Sequence, residues 1–549
     1  MNTDKRRSRK HRHEYFCVSP FRFLSVCICV YLWLILLSSC GSKPTDLRTL
    51  IPADSLVYLE SNDLGAVMKT ITDRPAFREA AKTVPDFSVL NGVKLAVAVT
   101  GFETKEQPVT DEAAVLNFQP RFVAILETNA WNYQALAFTE QKLGEFINNV
   151  YGGEVLLETS DKHDGKYFVW KANDGRKAYA LVQGSVVFFG NDETAIEKSL
   201  AVKRGEADAI SKNPKITNGD RLAFGYVSPD GVAQIANVLG VKYASEASDE
   251  PEVRSAVSGL IPQILRNSVK EVVWEASKHE NGIEDKFSVT LDADLANVFS
   301  ETLILGTRPE YSRSSIFDVI PESFSSVTRY SLKNPRIAWR SVLLATTNGM
   351  DQLTGSLIVS LSKGLFEPYG IEDPEKFLGS IEPALITVRL DNDGQRIAVI
   401  VNATARDFYE SISKDINFNG PPDEQYEEGQ YRVSKDRNLA INSRSGEFDI
   451  LGNPAAVSQC TQAYGITRNW ANDPVLAGLL DSRAPAVTVG FDSEVTREIV
   501  KALDEANSTE TSPRSRYFTE TNFNRNGIDR RMISDFGLIG WIITQFDKE

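Results

Sequence analysis

VVFFGNDETAIEKSL (186–200) and FDILGNPAAVSQCT (448–461) decide the fold of this chain. Each reads as a short β-branched and aromatic run, a Gly-Asn break, and an amphipathic segment. Two further matches flank them in the same order. Ile51-Pro52-Ala53-Asp54-Ser55 precedes one copy and Ile320-Pro321-Glu322-Ser323 the other. Asn281-Gly282-Ile283 follows the first copy and Asn526-Gly527-Ile528 the second. The spacings are 269, 262 and 245 residues, shrinking as they would if the second copy had shorter connections. A smaller strand–break–helix unit recurs inside each half, as in SLVYLESNDLGAVMKTI (55–71), RLAFGYVSPDGVAQIANVL (221–239), SSVTRYSLKNPRIAWRSVL (325–343) and PAVTVGFDSEVTREIVKAL (485–503). Ser228-Pro229, Asn334-Pro335 and Asn453-Pro454 each place a capping oxygen before a proline suited to the first helical position. Leu136, Leu143, Phe146, Ile147 and Val150 mark one face of a long helix, and strands are expected over 153–160, 166–172, 176–182 and 184–190. Successive strands with single covering helices predict an α+β fold: two tandem, duplicated domains of largely antiparallel sheet covered by helices.

The N-terminal segment carries a different signal. Seven Lys and Arg residues lie within residues 1–22, followed by the uncharged run FLSVCICVYLWLILL (23–37). A spanning helix needs about 20 apolar residues, so this shorter run fits the h-region of a signal peptide. The run ends in Leu37-Ser38-Ser39-Cys40-Gly41, which resembles a bacterial lipobox. That resemblance implies recognition through Leu37, Ser38, Ser39 and Gly41, diacylglycerol on the Cys40 thiol and cleavage before Cys40. The expected organisation is a signal peptide over 1–39, a lipidated tether over 40–48, a first domain over 49–306, a linker over 307–315 and a second domain over 316–549. The opening LIPADSLVYLESNDLGAVM, the length and the twofold plan further resemble a family of uncharacterised bacterial envelope proteins with a duplicated domain of unknown function. Glu322 departs from its pattern, standing where the first copy has Ala53-Asp54.

The chain has 549 residues, 42% hydrophobic and 24% charged, a globular balance that excludes wholesale disorder. Residues 1–39 hold seven of its 60 basic and two of its 74 acidic side chains, so the remainder carries 53 against 72, a net charge of −19. Such an acidic surface argues against nucleic acid as a partner and against a basic membrane patch, leaving the lipid on Cys40 as the expected membrane attachment. Cys460 is then the one thiol left besides Cys40, on one face of a helix with Val457 and Tyr464, and is expected to be buried and inert.

Chemistry-bearing patterns are sparse. HExxH, GxSxG, the P-loop and a GxGxxG opening a helix are all absent from the sequence. His163 and His279 are the histidines outside the signal, and each sits in a turn pattern, Asp161-Lys162-His163-Asp164-Gly165 and His279-Glu280-Asn281-Gly282. Asp391-Asn392-Asp393-Gly394 begins like a calcium loop, but Asn402 stands where the twelfth-position Glu would. The acidic stretch Asp423, Glu424, Glu427 and Glu428 reads as a solvated loop. Trp131, Trp170 and Trp274 fall in strand or helix patterns and are expected in the core. No catalytic, cofactor-binding or metal residue is nominated. The favoured function is a non-catalytic, lipid-anchored protein of the bacterial cell envelope with an extracytoplasmic body, binding a protein partner or supporting assembly. The alternative is a carboxylate-dependent hydrolase acting on envelope polymers. One asymmetry stands out: PALITVRL returns to RIAVIV through a four-residue turn, whereas KLAVAVT is followed by about twenty residues, Gly101 to Pro120, read as an insertion in which Ala113 to Phe118 forms an extra edge strand and the rest is plain loop, or else as a loop whose mixed apolar and acidic surface engages a protein partner.

Overall fold

The computed structural model describes residues 45–81, 83–110, 113–153, 155–247, 251–303, 316–347, 350, 352–403, 406–418, 431–444, 447–464, 474–492, 494–503 and 514–545. Cys40 with its neighbours, the expected linker 307–315 and the acidic stretch 423–428 lie outside these residues.

Ten strands come from the first half: β1 Val57–Ser61, β2 Lys94–Thr110, β3 Ala113–Glu127, β4 Leu156–Lys162, β5 Gly165–Lys171, β6 Lys177–Gln183, β7 Val186–Gly190, β8 Ala223–Val227, β9 Val269–His279 and β10 Gly282–Leu291. Nine come from the second: β11 Ser326–Ser331, β12 Ile381–Arg389, β13 Ile397–Ala403, β14 Arg432–Val433, β15 Ala440–Arg444, β16 Phe448–Gly452, β17 Ala486–Asp492, β18 Ser515–Asn524 and β19 Gly527–Ser534. All nineteen join one open antiparallel sheet. The first half runs β4-β5-β6-β7-β3-β2-β1-β8-β9-β10. From β10 the sheet continues without a break as β19-β18-β17-β11-β12-β13-β16-β15-β14. Read outward from the β10–β19 pair, the two halves have the same strand order, and among the described residues β4 alone has no counterpart. The fold is α+β, with both halves built on one plan.

The register at the centre makes the symmetry quantitative. Gly282 and Gly527 occupy equivalent hairpins 245 residues apart, and the residue 245 after Lys286 is Arg531, its partner across the β10–β19 ladder. A pseudo-twofold axis therefore passes between Lys286 and Arg531. The glycines close the two ends of this ladder at φ of 142° and 143°. A Cβ on Gly282 would strike the Ser534 carbonyl, and one on Gly527 the Val289 carbonyl.

Helices cover both faces of the sheet. On one face Tyr58, Ala98, Ile125 and Phe224 lie under the turn Leu47–Leu50 and the helix Glu193–Lys203. The same face of the second half packs Val327, Ile386, Ile400 and Val487 under residues 316–324 and the helix Pro454–Ala463. On the opposite face the first-half core is closed partly by the other half. Ile499, Val500, Phe536, Ile539 and Ile543 from the C-terminal helices Glu494–Leu503 and Gly537–Thr544 join Leu64, Phe77 and Trp274 in one cluster. Reciprocally, Leu295 and Ala296 of the helix Ala293–Thr302 pack with Val342 and Ile528. The expected helix around Leu136 to Val150 is interrupted by a π-turn at Thr139–Leu143. The phase slip buries Ala135, Phe138, Leu143 and Ile147 and leaves Leu136, Phe146 and Val150 half-buried.

In the segment Gly101 to Pro120 the strand expected over Ala113 to Phe118 is present, and the stretch before it, expected as loop, is strand as far as Thr110. β2 and β3 continue through it in antiparallel register from Gly101↔Arg121 to Thr110↔Ala113. β1 pairs β2 no further than Val99, and β7 pairs β3 no further than Val123. A two-stranded ribbon of about 30 Å, at ~3.3 Å per residue, thus projects beyond the sheet.

The central ladder sets a testable cost. Gly282→Ala and Gly527→Ala should each destabilise the protein by about 1–3 kcal/mol, because both the dihedral and the carbonyl contact forbid a Cβ. Chemical denaturation should show the two losses to be similar, as the pseudo-symmetry demands.

Candidate functional site

The residues singled out by the sequence do not converge. His163 and Asp164 adopt φ of 54° and 56° in the β4–β5 turn. The turn is as expected, but the ring is not solvated: Nε2 lies 2.8 Å from Glu197 Oε1 and the side chain is 23% exposed. Lys162 pairs with Glu193 at 2.8 Å and Tyr167 donates to the same carboxylate at 3.1 Å, so this cluster ties the hairpin to the helix Glu193–Lys203. His279 Nδ1 accepts from the Asn281 amide at 3.1 Å within its own turn. Asp391 accepts from the amides of Gln395 and Arg396 and from the Arg396 guanidinium, all inside its hairpin, with Gly394 at φ of 68°. Trp170 and Trp274 are buried, whereas Trp131, expected in the core, stands exposed at the start of a helix. Cys460 is fully buried, and burial pushes its thiol up to about 12.

A polar cleft of about 160 Å³ opens beside the ends of β1 and β2, lined by Thr45, Asp46, Glu60, Ser61, Lys94 and Asn218 among others. Its acids are already engaged. Asp46 accepts from Arg48 Nε at 2.9 Å and Nη2 at 2.8 Å, and this hydrogen bonding holds its carboxyl below the usual range. Glu60 accepts from Tyr58 Oη at 2.7 Å and from Arg221 Nη2 at 2.8 Å. Arg221 also reaches Glu275 at 2.6 Å and lies 3.8 Å over the Phe224 ring. Burial, with Glu60 alongside, raises the Tyr58 hydroxyl far above its ordinary value. Carboxylates locked by arginines and a tyrosine that keeps its proton hold structure together; they are poorly placed to shuttle protons.

Two carboxyls do have raised pKa values, and neither lines this cleft. Burial pushes Asp285 up to about 6, against hydrogen bonds from Trp274 Nε1 at 2.8 Å and the Leu538 amide at 2.9 Å. Burial likewise pushes Asp449 up to about 6, against a hydrogen bond from Ser443. Asp285 is on β10 and Asp449 on β16, seven ladder steps apart, about 34 Å along the sheet at ~4.8 Å per strand. They cannot act as an acid–base pair. Asp285 instead caps the helix Gly537–Thr544, whose own N-cap, Phe536, offers no side-chain oxygen. Nothing local in the sequence marks this role, since donor and acceptor are 253 residues apart.

No group of His, Cys, Asp and Glu among the described residues could hold a metal ion. No described helix is long and apolar enough to cross a membrane. No family model matches the chain, and no curated protein matches it. Among solved structures, crystal form IV of TP0453 aligns with 45% of this chain and 80% of its own at 8% identity, with a TM-score of 0.22, too low to carry any argument.

The two carboxyls govern a pH dependence. Each binds its proton more tightly folded than unfolded, so the stabilisation is complete below the ordinary carboxyl value of 3.8 and is lost as pH rises through about 6. At ~1.36 kcal/mol per pKa unit each could contribute up to about 3 kcal/mol. Denaturant titrations between pH 4 and 7 should show stability falling, with a shallower slope in Asp285→Asn. Cys460 should resist a thiol reagent in the native protein and react on unfolding.

Proposed function

We propose that this protein is a non-catalytic, lipid-anchored component of the bacterial cell envelope whose extracytoplasmic body binds a partner or supports assembly. The observation that carries the reading is the sequence Leu37-Ser38-Ser39-Cys40-Gly41 at the end of a 15-residue apolar run preceded by seven basic side chains. The thiol of Cys40 takes the lipid, and the body follows after a few residues. The acidic body has no need of a basic patch to stay at the membrane, because the acyl chains supply the attachment.

A body made for binding is consistent with the character of its polar groups. The buried arginines and acids around the cleft are paired with one another, and the two carboxyls of raised pKa are each embedded in separate structural contacts. The ribbon Gly101 to Arg121 departs from the duplicated plan, since the other half makes the same connection with Asp391-Asn392-Asp393-Gly394. A feature present in one copy and dispensable for joining strands is a suitable place for a partner to engage.

Metabolic labelling with a fatty-acid probe tests the anchor. The wild-type chain should take up label and fractionate with membranes, and Cys40→Ala should lose both. Label retained on Cys40→Ala would overturn the reading.

A further inference from the structure

We propose that the free edge of β3 in the ribbon is a self-association edge, pairing antiparallel with the same edge of a second copy of this chain. The inference deepens the binding role proposed above and rests on it only for its biological setting.

Main-chain direction along β3 is fixed by its base. The Phe122 amide donates to Asn191 Oδ1 at 3.0 Å, and the Pro120 carbonyl accepts from Asn191 Nδ2 at 2.8 Å. Further up the strand the Thr128 amide donates to the Ser185 carbonyl at the start of β7. Even-numbered residues of β3 therefore turn their main-chain groups toward the β7 side, and odd-numbered ones toward β2. Asn191 satisfies the first outward groups as a short strand would. Beyond it, with β7 ended, Ala114, Leu116 and Phe118 carry outward amides and carbonyls that no strand among the described residues pairs.

Edges of this kind are normally blocked by charge or proline. The ribbon's other edge is blocked. The register Glu103↔Gln119, Lys105↔Asn117 and Gln107↔Val115 turns those β2 residues inward, so Glu106 and Pro108 take outward positions. Pro108 removes a donor from that edge, and Glu103, Lys105 and Glu106 charge the strand. The outer sheet edge β4 carries Glu158, Asp161 and Lys162, and the opposite edge strand β14 is only two residues long. The β3 edge differs. Ala113 to Gln119, AAVLNFQ, has no charge and no proline.

The absence of charge points to a second copy as the occupant. In an isologous antiparallel pairing each strand meets its own sequence reversed, so a charged residue near the dyad would face itself. AAVLNFQ contains nothing to repel. Two ribbons joined in this way form a four-stranded sheet in which the unpaired main-chain groups of Ala114, Leu116 and Phe118 are satisfied.

The test uses the full chain purified in mild detergent and examined by sedimentation velocity. The wild type should dimerise. Leu116→Pro should raise the dimer dissociation constant by ~10-fold or more with an unchanged melting temperature, because proline is tolerated where the amide faces outward and the ribbon's own bonds use odd-numbered residues. Leu116→Lys, which keeps the amide and places like charges across the dyad, should act in the same direction and serves if the proline variant misfolds. A monomeric wild type, or a dimer that survives in the folded variants, overturns the proposal. Cys40→Ala should still dimerise, so loss of lipid label and loss of the dimer are separate results.

Discussion

The β10–β19 ladder is the contact on which the whole arrangement depends. Eight consecutive residue pairs, Ile283↔Ser534 to Thr290↔Gly527, convert two sheets into one. The pairing works because two hairpins of the same design meet head to head. Each ends in a glycine at a φ that L-residues rarely adopt, and each glycine sits against a carbonyl of the other hairpin. Around the axis, Arg531 reaches Glu284 and Glu520, and Ser288 donates to Asp529, so polar groups brace the exposed face while Ile283 and Phe287 pack on the other.

Joining the sheets would not by itself join the cores. That is done by helices that leave one half and close the other. Gly537–Thr544 follows β19 but seals the cluster around Leu64, Phe77 and Trp274, and Ala293–Thr302 follows β10 but packs near Val342 and Ile528. Arg74 adds a cross-half ion pair with Asp535 at 3.1 Å. A hydrophobic core stabilises in proportion to the apolar area removed from water, so neither half can be peeled away without exposing residues that belong to the other's interior. The structural unit is the pair.

The sequence made the repeated plan legible because its signals are local. Gly-Asn breaks, Asn-Gly hairpins and proline-started helices are set by dihedral limits and capping within a few residues, and the turns at Lys162–Gly165 and Asp391–Gly394 were readable for that reason. Asn453 does accept from the Ala455 amide and Ser228 from the Gly231 amide as those patterns imply. Other features had no local signal. Which strand follows β10 in the sheet depends on residues some 245 positions away, and the capping of Leu538 by Asp285 spans 253. The π-turn at Thr139–Leu143 hides because one extra residue shifts helical phase without altering composition. In the ribbon, the apolar run Ala113 to Phe118 was legible as an edge strand, whereas its partner over Gly101 to Thr110 was not, because Glu103, Lys105 and Glu106 weaken the alternation that marks a strand.

The departures from symmetry are as informative as the symmetry. Asp285 and Arg530 are equivalent by the same 245-residue spacing, yet only Asp285 caps a helix across the axis. The helix Ala293–Thr302 has its own cap, Asp292, which accepts from the Asp294 amide at 3.1 Å, so its half needs no donated oxygen. The helix Gly537–Thr544 has no such oxygen at its N-cap: Ser534 Oγ accepts from the Gly537 amide, and a buried carboxyl from the other half accepts from the Leu538 amide, at the cost of desolvating that carboxyl. The same logic distinguishes the two β2–β3-type hairpins. A four-residue turn satisfies its own main chain through Asp391, whereas the ribbon extends two strands past the last neighbour that could pair them. Asp285 is an unmet main-chain need answered from within the chain. Over Ala113 to Gln119 the β3 edge faces outward with no described strand beside it, and the lack of charge and proline in that stretch separates it from the charged edge at β4 and the two-residue edge at β14.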